Sequence, residues 1–203
     1  MLCGQRQAGA THVVRMSAIG AAHDAPTINS RLHALSDAEL AASGIAYTVL
    51  KPHFFDQNFA MIAPTVASQG MIYFPLADGR NSFVDTRDIS ELAAKVLTTS
   101  GHEGKTYTVT GPASISMNEV ATTIGEVIGK DVKYTALPFE GARRSFEEMR
   151  IDEWSINSMK DYMAAFGSGW GDFVSDDFER VMGKAPRSFK QFASDFAGLF
   201  GKA

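Results

Sequence analysis

The chain has almost no cysteine, and this shortage limits both its covalent chemistry and its metal chemistry. Its single cysteine among 203 residues, Cys3, cannot form a disulfide within the chain, and no cysteine-rich metal site can be built from it. The five histidines show neither the H-x-H nor the H-E-x-x-H spacing of zinc enzymes. The sequence therefore predicts no metal site, an inert Cys3 and a reducing compartment, the cytoplasm.

Long apolar runs and a basic surplus are missing as well. No segment approaches the roughly 18 consecutive apolar residues of a membrane span, and the N-terminus lacks the basic-then-apolar pattern of a secretory signal. The formal net charge is -4, with Lys and Arg scattered along the chain, so no basic stripe follows a phosphate backbone. We therefore expect neither a membrane nor a nucleic acid as a partner. With 45% hydrophobic and 21% charged residues, the chain has the composition of a globular domain with one core.

Strand-like and helix-like segments alternate along the chain. Short β-branched or aromatic runs predict strands at 12–16, 47–50 and 106–109. Each is followed by loop residues and a helical pattern, and parallel strands require such long connections. Two further short strands, at 71–75 and 82–84, are predicted beside the main sheet. The predicted fold class is α/β with a parallel sheet.

Capping residues and apolar spacing predict three helices. The segment 28–43 repeats leucine near one face and ends at a Ser-Gly pair, and a capping box at 116–119 opens a second helix that ends at Gly129. A similar box at 88–91 predicts that a third helix begins there. The leucines predicted to share one face of the first helix are Leu32, Leu35 and Leu40.

From about residue 143 the sequence becomes helical and rich in aromatic residues at helical spacing. This pattern has two interpretations: an aromatic core stripe, or a helical cap that closes a substrate pocket. The aromatic residues concerned include Phe166, Phe178, Phe189, Phe192, Phe196 and Phe200.

Several ordered segments carry a family resemblance. They include SGIAYTVLKP followed by FFDQN, then FVDTRDI, then GKTYTVTGP, and a final DDFERVMGKAPRSFKQF. Together with the first strand, which runs into Ser17, they resemble the NmrA-like atypical short-chain dehydrogenase/reductases over nearly the whole chain. Lys51 stands where the family usually has arginine. The segments span 8–18, 42–58, 83–89, 104–112 and 176–192.

The resemblance implies a partial Rossmann-like parallel sheet, the C-terminal half of a doubly wound fold, with a C-terminal helical cap. Residues 1–142 would form the truncated core, and 143–203 the substrate cap, packed together as one compact unit. The implied cofactor is NAD(P). The family begins with a strand and a G-x-x-G-x-x-G turn, and this sequence has no such turn. We therefore expect the dinucleotide-binding half to be absent and nucleotide binding to be weak.

The resemblance also implies a catalytic site. His33 and Asp37 match the positions of the usual Tyr-x-x-x-Lys pair, one helical turn apart. Asp37 would orient His33 and stabilise its protonated form as a general acid. The alternative is an incidental ion pair on an exposed helix face. Ser17, at a strand end beside the nicotinamide, would bind a substrate carbonyl or serve as a helix or turn cap.

By the same resemblance, Pro52, His53 and Phe54 approach the nicotinamide ring, while Phe55 and Asn58 line the substrate side. Phe54 and Phe55 are alternatively core residues. A serine hydrolase built on Ser17, His33 and Asp85 is disfavoured because the chain lacks a G-x-S-x-G elbow.

The implied function is an NAD(P)H-dependent oxidoreductase of the quinone-reductase type acting on a small molecule, impaired by loss of the dinucleotide-binding half. A non-catalytic NmrA-like regulatory or ligand-binding protein is the alternative. Without the N-terminal half, the strand at 12–16 becomes a sheet edge. An apolar edge with Arg15 as its one charge predicts a homodimer or other oligomer through strand pairing, or else covering of the edge by the helix remnant that precedes the strand, at 1–8.

Overall fold

The computed structural model describes residues 9–201. Cys3 and the helix remnant predicted before the first strand lie outside these residues. In chain order the strands are β1 (His12–Met16), β2 (Ala46–Pro52), β3 (Met71–Phe74), β4 (Arg80–Asn81), β5 (Lys105–Val109), β6 (Ile115–Ser116) and β7 (Lys133–Ala136). The α-helices are α1 (Ile28–Ala42), α2 (Ala63–Gln69), α3 (Thr86–Thr98), α4 (Met117–Ile128), α5 (Phe139–Glu148), α6 (Glu153–Gly167), α7 (Asp177–Met182) and α8 (Phe189–Asp195), and 3-10 turns span Asp56–Met61 and Ala197–Phe200.

The main sheet has three parallel strands in the order β1–β2–β5. In its register Val14 lies opposite Thr48, and Leu50 lies opposite Tyr107. Helices connect the parallel strands, because each crossover must return the chain to the same end of the sheet. The predicted α/β class and the three predicted strands are therefore confirmed.

The two short strands predicted beside the main sheet are placed differently. β3 pairs in parallel with β7, and β4 pairs antiparallel with β6, so each forms a separate two-stranded sheet. The predicted strand at 82–84 is wrong, since Val84 makes only an isolated bridge to Phe55. The Phe83 side chain is buried in the aromatic core. Segment 82–84 therefore packs into the interior and does not run along a sheet edge.

Local capping explains where two of the helices begin. α4 carries the complete predicted capping box: Ser116 Oγ accepts from the Glu119 amide at 3.2 Å, and Glu119 accepts from the Ser116 amide at 2.8 Å. The predicted start of α3 at Asp88 is wrong. Asp85 caps that helix by accepting from the Arg87 amide at 2.8 Å, whereas Asp88 is buried in the first turn and paired with Arg187.

The leucine stripe predicted for α1 is also wrong in part. Leu40 is buried, but Leu32 and Leu35 are 42% and 56% exposed. The inner face of α1 carries small residues instead, among them Ser30, whose hydroxyl donates to the Ile19 carbonyl at 3.2 Å. Small side chains allow α1 to approach the loop after β1 closely, and this approach brings α1 to the site described below.

The core joins both parts of the chain. Its larger cluster combines Val66 and Ile124 with Phe166 and Phe192, so side chains from either side of residue 142 share one interior. The aromatic stripe of the tail is thus mainly core, as the first of its two interpretations predicted; the boundary at 142 stays a prediction. Across residues 9–201, no helix is long and apolar enough to cross a membrane.

Candidate functional site

A cavity of about 360 Å³ lies at the carboxyl ends of β1 and β2. Open α/β sheets bind their ligands at this edge because the loops that follow the strands diverge there. The cavity is enclosed by the segments after β1 and β2, the first turns of α1, and α6 of the predicted cap. Its lining residues are Met16, Ser17, Ala18, Ile19, Asn29, His33, Pro52, His53, Phe54, Phe55, Asn58, Met159, Tyr162, Met163 and Phe166.

The cavity brings together almost all the residues that the sequence singled out. Seven of the eight line it, and the eighth, Asp37, contacts the lining residue Ser17. The sequence did not single out Met16, Ala18, Ile19 and Asn29, and it placed the α6 residues only in a tail with two interpretations, one of them a cap over a substrate pocket. The aromatic spacing of the tail signalled a helix, but it did not show which side chains face a ligand.

Ser17 is held at the end of β1 by both its backbone and its side chain. Its amide donates to the Leu50 carbonyl at 2.8 Å, which continues the pairing with β2. Its hydroxyl donates to Asp37 Oδ2 at 2.7 Å. The hydroxyl proton is therefore used in the hydrogen bond to Asp37, and Ser17 can only accept a hydrogen bond from a ligand. In this structure the hydroxyl donates to neither a helix end nor a ligand, and its predicted role toward a substrate stays a prediction.

Asp37 is the centre of a partly buried ionic cluster. Arg15 Nε donates to Asp37 Oδ1 at 2.6 Å, and Lys51 Nζ lies 3.8 Å from Oδ2. Lys51 also donates to the Ala21 carbonyl at 2.9 Å, tying the loop after β1 to β2. Since two cations and the Ser17 hydroxyl share the carboxylate, Asp37 organises the strand ends rather than the imidazole of His33.

The His33 ring is contacted by Arg15 rather than by Asp37, and the role of Asp37 in stabilising a protonated His33 stays a prediction. Arg15 Nη2 lies 3.2 Å from His33 Nδ1, and because a guanidinium is only a donor, Nδ1 must accept and carry no proton. Burial lowers the pKa of His33, the Arg15 charge lowers it further, and Asp37 offsets part of the shift. His33 is thus a neutral imidazole whose proton resides on Nε2.

His53 lies in the cavity wall with both ring nitrogens engaged by the backbone. Nδ1 accepts from the Phe54 amide at 2.7 Å, and Nε2 lies 3.1 Å from the Gly171 carbonyl, to which it donates. Burial lowers the pKa of His53 to about 4, outweighing the hydrogen bond to Gly171. The ring is therefore uncharged and presents its face to the cavity, where it packs 5.1 Å from the Phe166 ring.

α6 is fastened to the start of α1 by two polar contacts. The Asp161 carboxylate accepts from the amide of Ile28, the first residue of α1, at 3.3 Å. Asn29 Nδ2 donates to the Tyr162 hydroxyl oxygen at 3.0 Å, and the Tyr162 ring stacks on Phe166 at 5.4 Å and 21°. A carboxylate near a helix N-terminus is favourable because the free amides and the helix dipole are positive there. These contacts fix the Tyr162 hydroxyl in the cavity wall.

Just beyond the residues that line the cavity, the carboxyl group of Asp56 is fully buried. Within the described part of the chain, neither of its oxygens finds a hydrogen-bond partner. Burial raises the pKa of Asp56 to about 8, with Asp85 and Asp88 adding to the shift and Arg87 opposing it. Asp85 itself caps α3 and binds Arg87 and Gln57, so it takes no part in a Ser17–His33 arrangement.

A second apolar depression lies behind α6. It has a volume of about 560 Å³ and is lined by the β3–β4 loop, by residues following β7 and by Met163, Ala164 and Gly167 of α6. Met163 also lines the first cavity. We call this depression the rear groove; one methionine side chain contributes to both spaces.

The chemistry of the cavity fits the ring end of a nicotinamide dinucleotide. Pro52, Phe54 and Phe55 supply an apolar wall at the end of β2, and Ser17 supplies an acceptor for the carboxamide amide group. No lysine or arginine is among the described residues that line it, so a diphosphate would lie outside this space. Across residues 9–201, no group of three His, Cys, Asp or Glu side chains is arranged to hold a metal ion.

A parallel sheet with a cavity at the carboxyl ends of its strands defines an α/β protein of the Rossmann-like class. The chain belongs to the NmrA-like family, whose sequence model matches residues 37–193. This confirms the resemblance found in the sequence.

One relative, the NAD(P)H azoreductase of Xenophilus azovorans, is 34% identical over 203 residues, covering 100% of this chain and 71% of its own length. The structure of the NADPH-dependent quinone oxidoreductase of Escherichia coli in complex with NADPH matches with a TM-score of 0.85 and 22% identity, over 96% of this chain and 68% of that one.

The negative transcriptional regulator NmrA in complex with NAD has the same fold, with a TM-score of 0.73 and 11% identity over 98% of this chain and 68% of that one. At these identities the two solved structures show the fold alone. The predictions that the chain is only a C-terminal part, and that its activity is impaired, are not confirmed by these comparisons.

Proposed function

We propose that the protein is an NAD(P)H-dependent oxidoreductase that reduces a small, planar, conjugated acceptor of the quinone or azo type. One observation carries the proposal: an apolar cavity large enough for a ring system lies at the strand ends where this fold class binds dinucleotides. A reduced nicotinamide dinucleotide, when bound, supplies a hydride. The chain's own residues position the acceptor and exclude water.

The division of labour follows from the lining residues. Pro52, Phe54 and Ser17 hold the nicotinamide end, on the side of the two strand ends. Met159 and Met163 of α6 face them across the cavity. Methionine is unbranched and polarisable, so such a wall adapts to rings of different outline. The azoreductase and the quinone oxidoreductase among the similar proteins support an acceptor of this kind.

The absence of charge in the wall supports a neutral acceptor. His33 accepts from Arg15 and His53 is buried between two backbone groups, so both imidazoles are neutral. Arg15 is turned to Asp37. An anionic acceptor would find no cation among the described lining residues, whereas a neutral ring loses little on leaving water.

The proposal is tested by following the oxidation of NADPH and of NADH, under anaerobic conditions, with duroquinone or an azo dye as acceptor. Met159→Trp fills the cavity, and Met61→Trp, at a position 54% exposed and outside the lining, is the matched control. We expect acceptor-dependent oxidation that Met159→Trp lowers at least ~10-fold, because ring positioning sets the rate, and that Met61→Trp leaves unchanged. A wild-type chain that oxidises neither nucleotide would overturn the proposal.

The alternative, a non-catalytic ligand-binding or regulatory protein, is favoured by the states of Ser17 and His33. The Ser17 hydroxyl donates its hydrogen bond to Asp37, and His33 is uncharged, so the trio predicted from the sequence offers a ligand no acid. Saturable binding of duroquinone, lost in Met159→Trp but without turnover in the wild type, would support this function instead.

A further inference from the structure

The predicted trio offers no acid for protonating the reduced acceptor, whereas another lining residue does. We propose that the Tyr162 hydroxyl is the proton donor of the site and that Asn29 positions it. The inference rests on the proposed reductase function and deepens it, because it identifies a catalytic group for that reaction.

The direction of one hydrogen bond carries the argument. Asn29 Nδ2 is a donor, so the Tyr162 oxygen accepts at 3.0 Å, and the phenolic proton is not used in this contact. The hydroxyl belongs to a side chain that lines the cavity. Ser17 shows the opposite arrangement, since its proton is already donated to Asp37.

Elimination over the polar lining residues leads to the same group. His33 is neutral, and the remaining N–H of a neutral imidazole is far too weak an acid to give up its proton. His53 uses both nitrogens on backbone groups. Asn29 and Asn58 carry amides, which are donors of hydrogen bonds but not of protons at neutral pH. A phenol is the most acidic group left among the described residues that line the cavity.

The step balances as follows. A reduced nicotinamide dinucleotide, when bound, would supply the hydride that gives the conjugated acceptor two electrons, and would itself be oxidised. The Tyr162 O–H bond breaks, and its proton forms a new O–H bond on the carbonyl oxygen of the acceptor. The Asn29 amide stabilises the phenolate through the bond that it already makes, and water then returns a proton to the oxygen. The two contacts between α6 and α1 keep this oxygen in place during the exchange.

The site is also built to hold the ring still. Tyr162 stacks on Phe166, which is 1% exposed, and Phe166 packs in turn on the His53 ring. A tyrosine held by stacking and by Asn29 loses little freedom when it meets the acceptor, which is how a positioned acid gains its effect.

The test compares Tyr162→Phe and Asn29→Ala with the wild type, and Tyr73→Phe, on β3 and outside the cavity lining, is the matched control. The first readout uses no nucleotide: calorimetric titration with duroquinone. Loss of one hydrogen bond to the quinone oxygen should weaken binding about fivefold in Tyr162→Phe. Tyr73→Phe should bind like the wild type.

The second readout is NADPH-dependent turnover of duroquinone. Removing a general acid should lower kcat about 100-fold in Tyr162→Phe, and a small buffer acid should restore part of that rate in the variant but not raise the wild-type rate. Asn29→Ala should lower kcat less and leave KM nearly unchanged, as expected of a positioning residue.

The outcomes separate the two proposals. If the wild type turns over duroquinone and Tyr162→Phe stays within twofold of it, the reductase stands and the Tyr162 assignment fails. If the wild type has no turnover, the reductase proposal fails, and the titration alone decides whether Tyr162 donates to a ligand oxygen. Equal duroquinone binding by wild type and Tyr162→Phe then overturns the assignment.

Discussion

Arg15 Nη2 lies 3.2 Å from Nδ1 of His33, and this contact makes the histidine an acceptor rather than an acid. The Arg15 charge adds to burial in lowering the pKa of His33, and the Asp37 charge opposes it. Two neighbours of opposite sign therefore control the same ring, and each can be removed separately.

From this arrangement we expect opposite shifts in two variants. Arg15→Gln should raise the pKa of His33, because a positive neighbour disappears, and Asp37→Asn should lower it further, because a negative one does. NMR titration of the His33 ring would measure both, with the exposed His23 as an internal control. Shifts of the same sign in both variants would contradict the assigned cluster.

Asp56 should make stability depend on pH in an unusual direction. Its folded-state pKa of about 8 lies above the ordinary value of 3.8, so between these values the folded chain holds a proton that the unfolded chain has lost. The protonated Asp56 therefore contributes to the free energy of unfolding fully below about pH 4. This contribution is lost as pH rises through about 8, by up to ~1.4 kcal/mol per pH unit.

Asp56→Asn keeps the shape of this side chain and cannot ionise. Relative to the wild type, its free energy of unfolding in urea should increase steadily between about pH 5 and about pH 8. Asp131→Asn, at a side chain 79% exposed, should show no such trend. A difference between Asp56→Asn and wild type that stays constant with pH would show that the carboxyl is not protonated in the fold.

Gly171 should tolerate no side chain. A Cβ there would lie 2.7 Å from His53 Nε2 and 2.7 Å from the Phe166 ring, so Gly171→Ala should destabilise the fold by about 1–3 kcal/mol. The substitution should also weaken ligand binding, since it displaces His53 and Phe166, which line the cavity. Gly198→Ala should change the unfolding midpoint little, because a Cβ at this position would meet no heavy atom outside its own turn within 4 Å. Similar unfolding midpoints for the two variants would show that His53 and Phe166 can shift at little cost in free energy.

We also propose that β1 pairs with β1 of a second copy. The Ser17 amide donates to Leu50 of β2, so by alternation along the strand the backbone groups of Val14 point to the other side. Val14→Pro removes an outward amide and leaves the β1–β2 ladder intact. Sedimentation should show a dimer for the wild type and a folded monomer for Val14→Pro. A monomeric wild type at micromolar concentration would exclude this dimer.

Local signals in the sequence predicted local structure well. The strands β1, β2 and β5 and the capping box at Ser116 follow from neighbouring residues, and all four are present. The leucines of α1 did not predict its buried face, because spacing defines a face without showing what covers it. Tyr162 escaped notice for a related reason: its partner Asn29 lies 133 positions away, and no pattern along the chain joins the two.

Met163 forms part of both the cavity and the rear groove, so one flexible side chain lines two apolar spaces. We expect a shorter residue at this position to enlarge both spaces, which gives the cavity more length toward the rear groove. The residue at position 163 then sets the length of the molecules that the cavity admits. A change from compact rings to elongated ones would require no rearrangement of the strands that hold the reacting end.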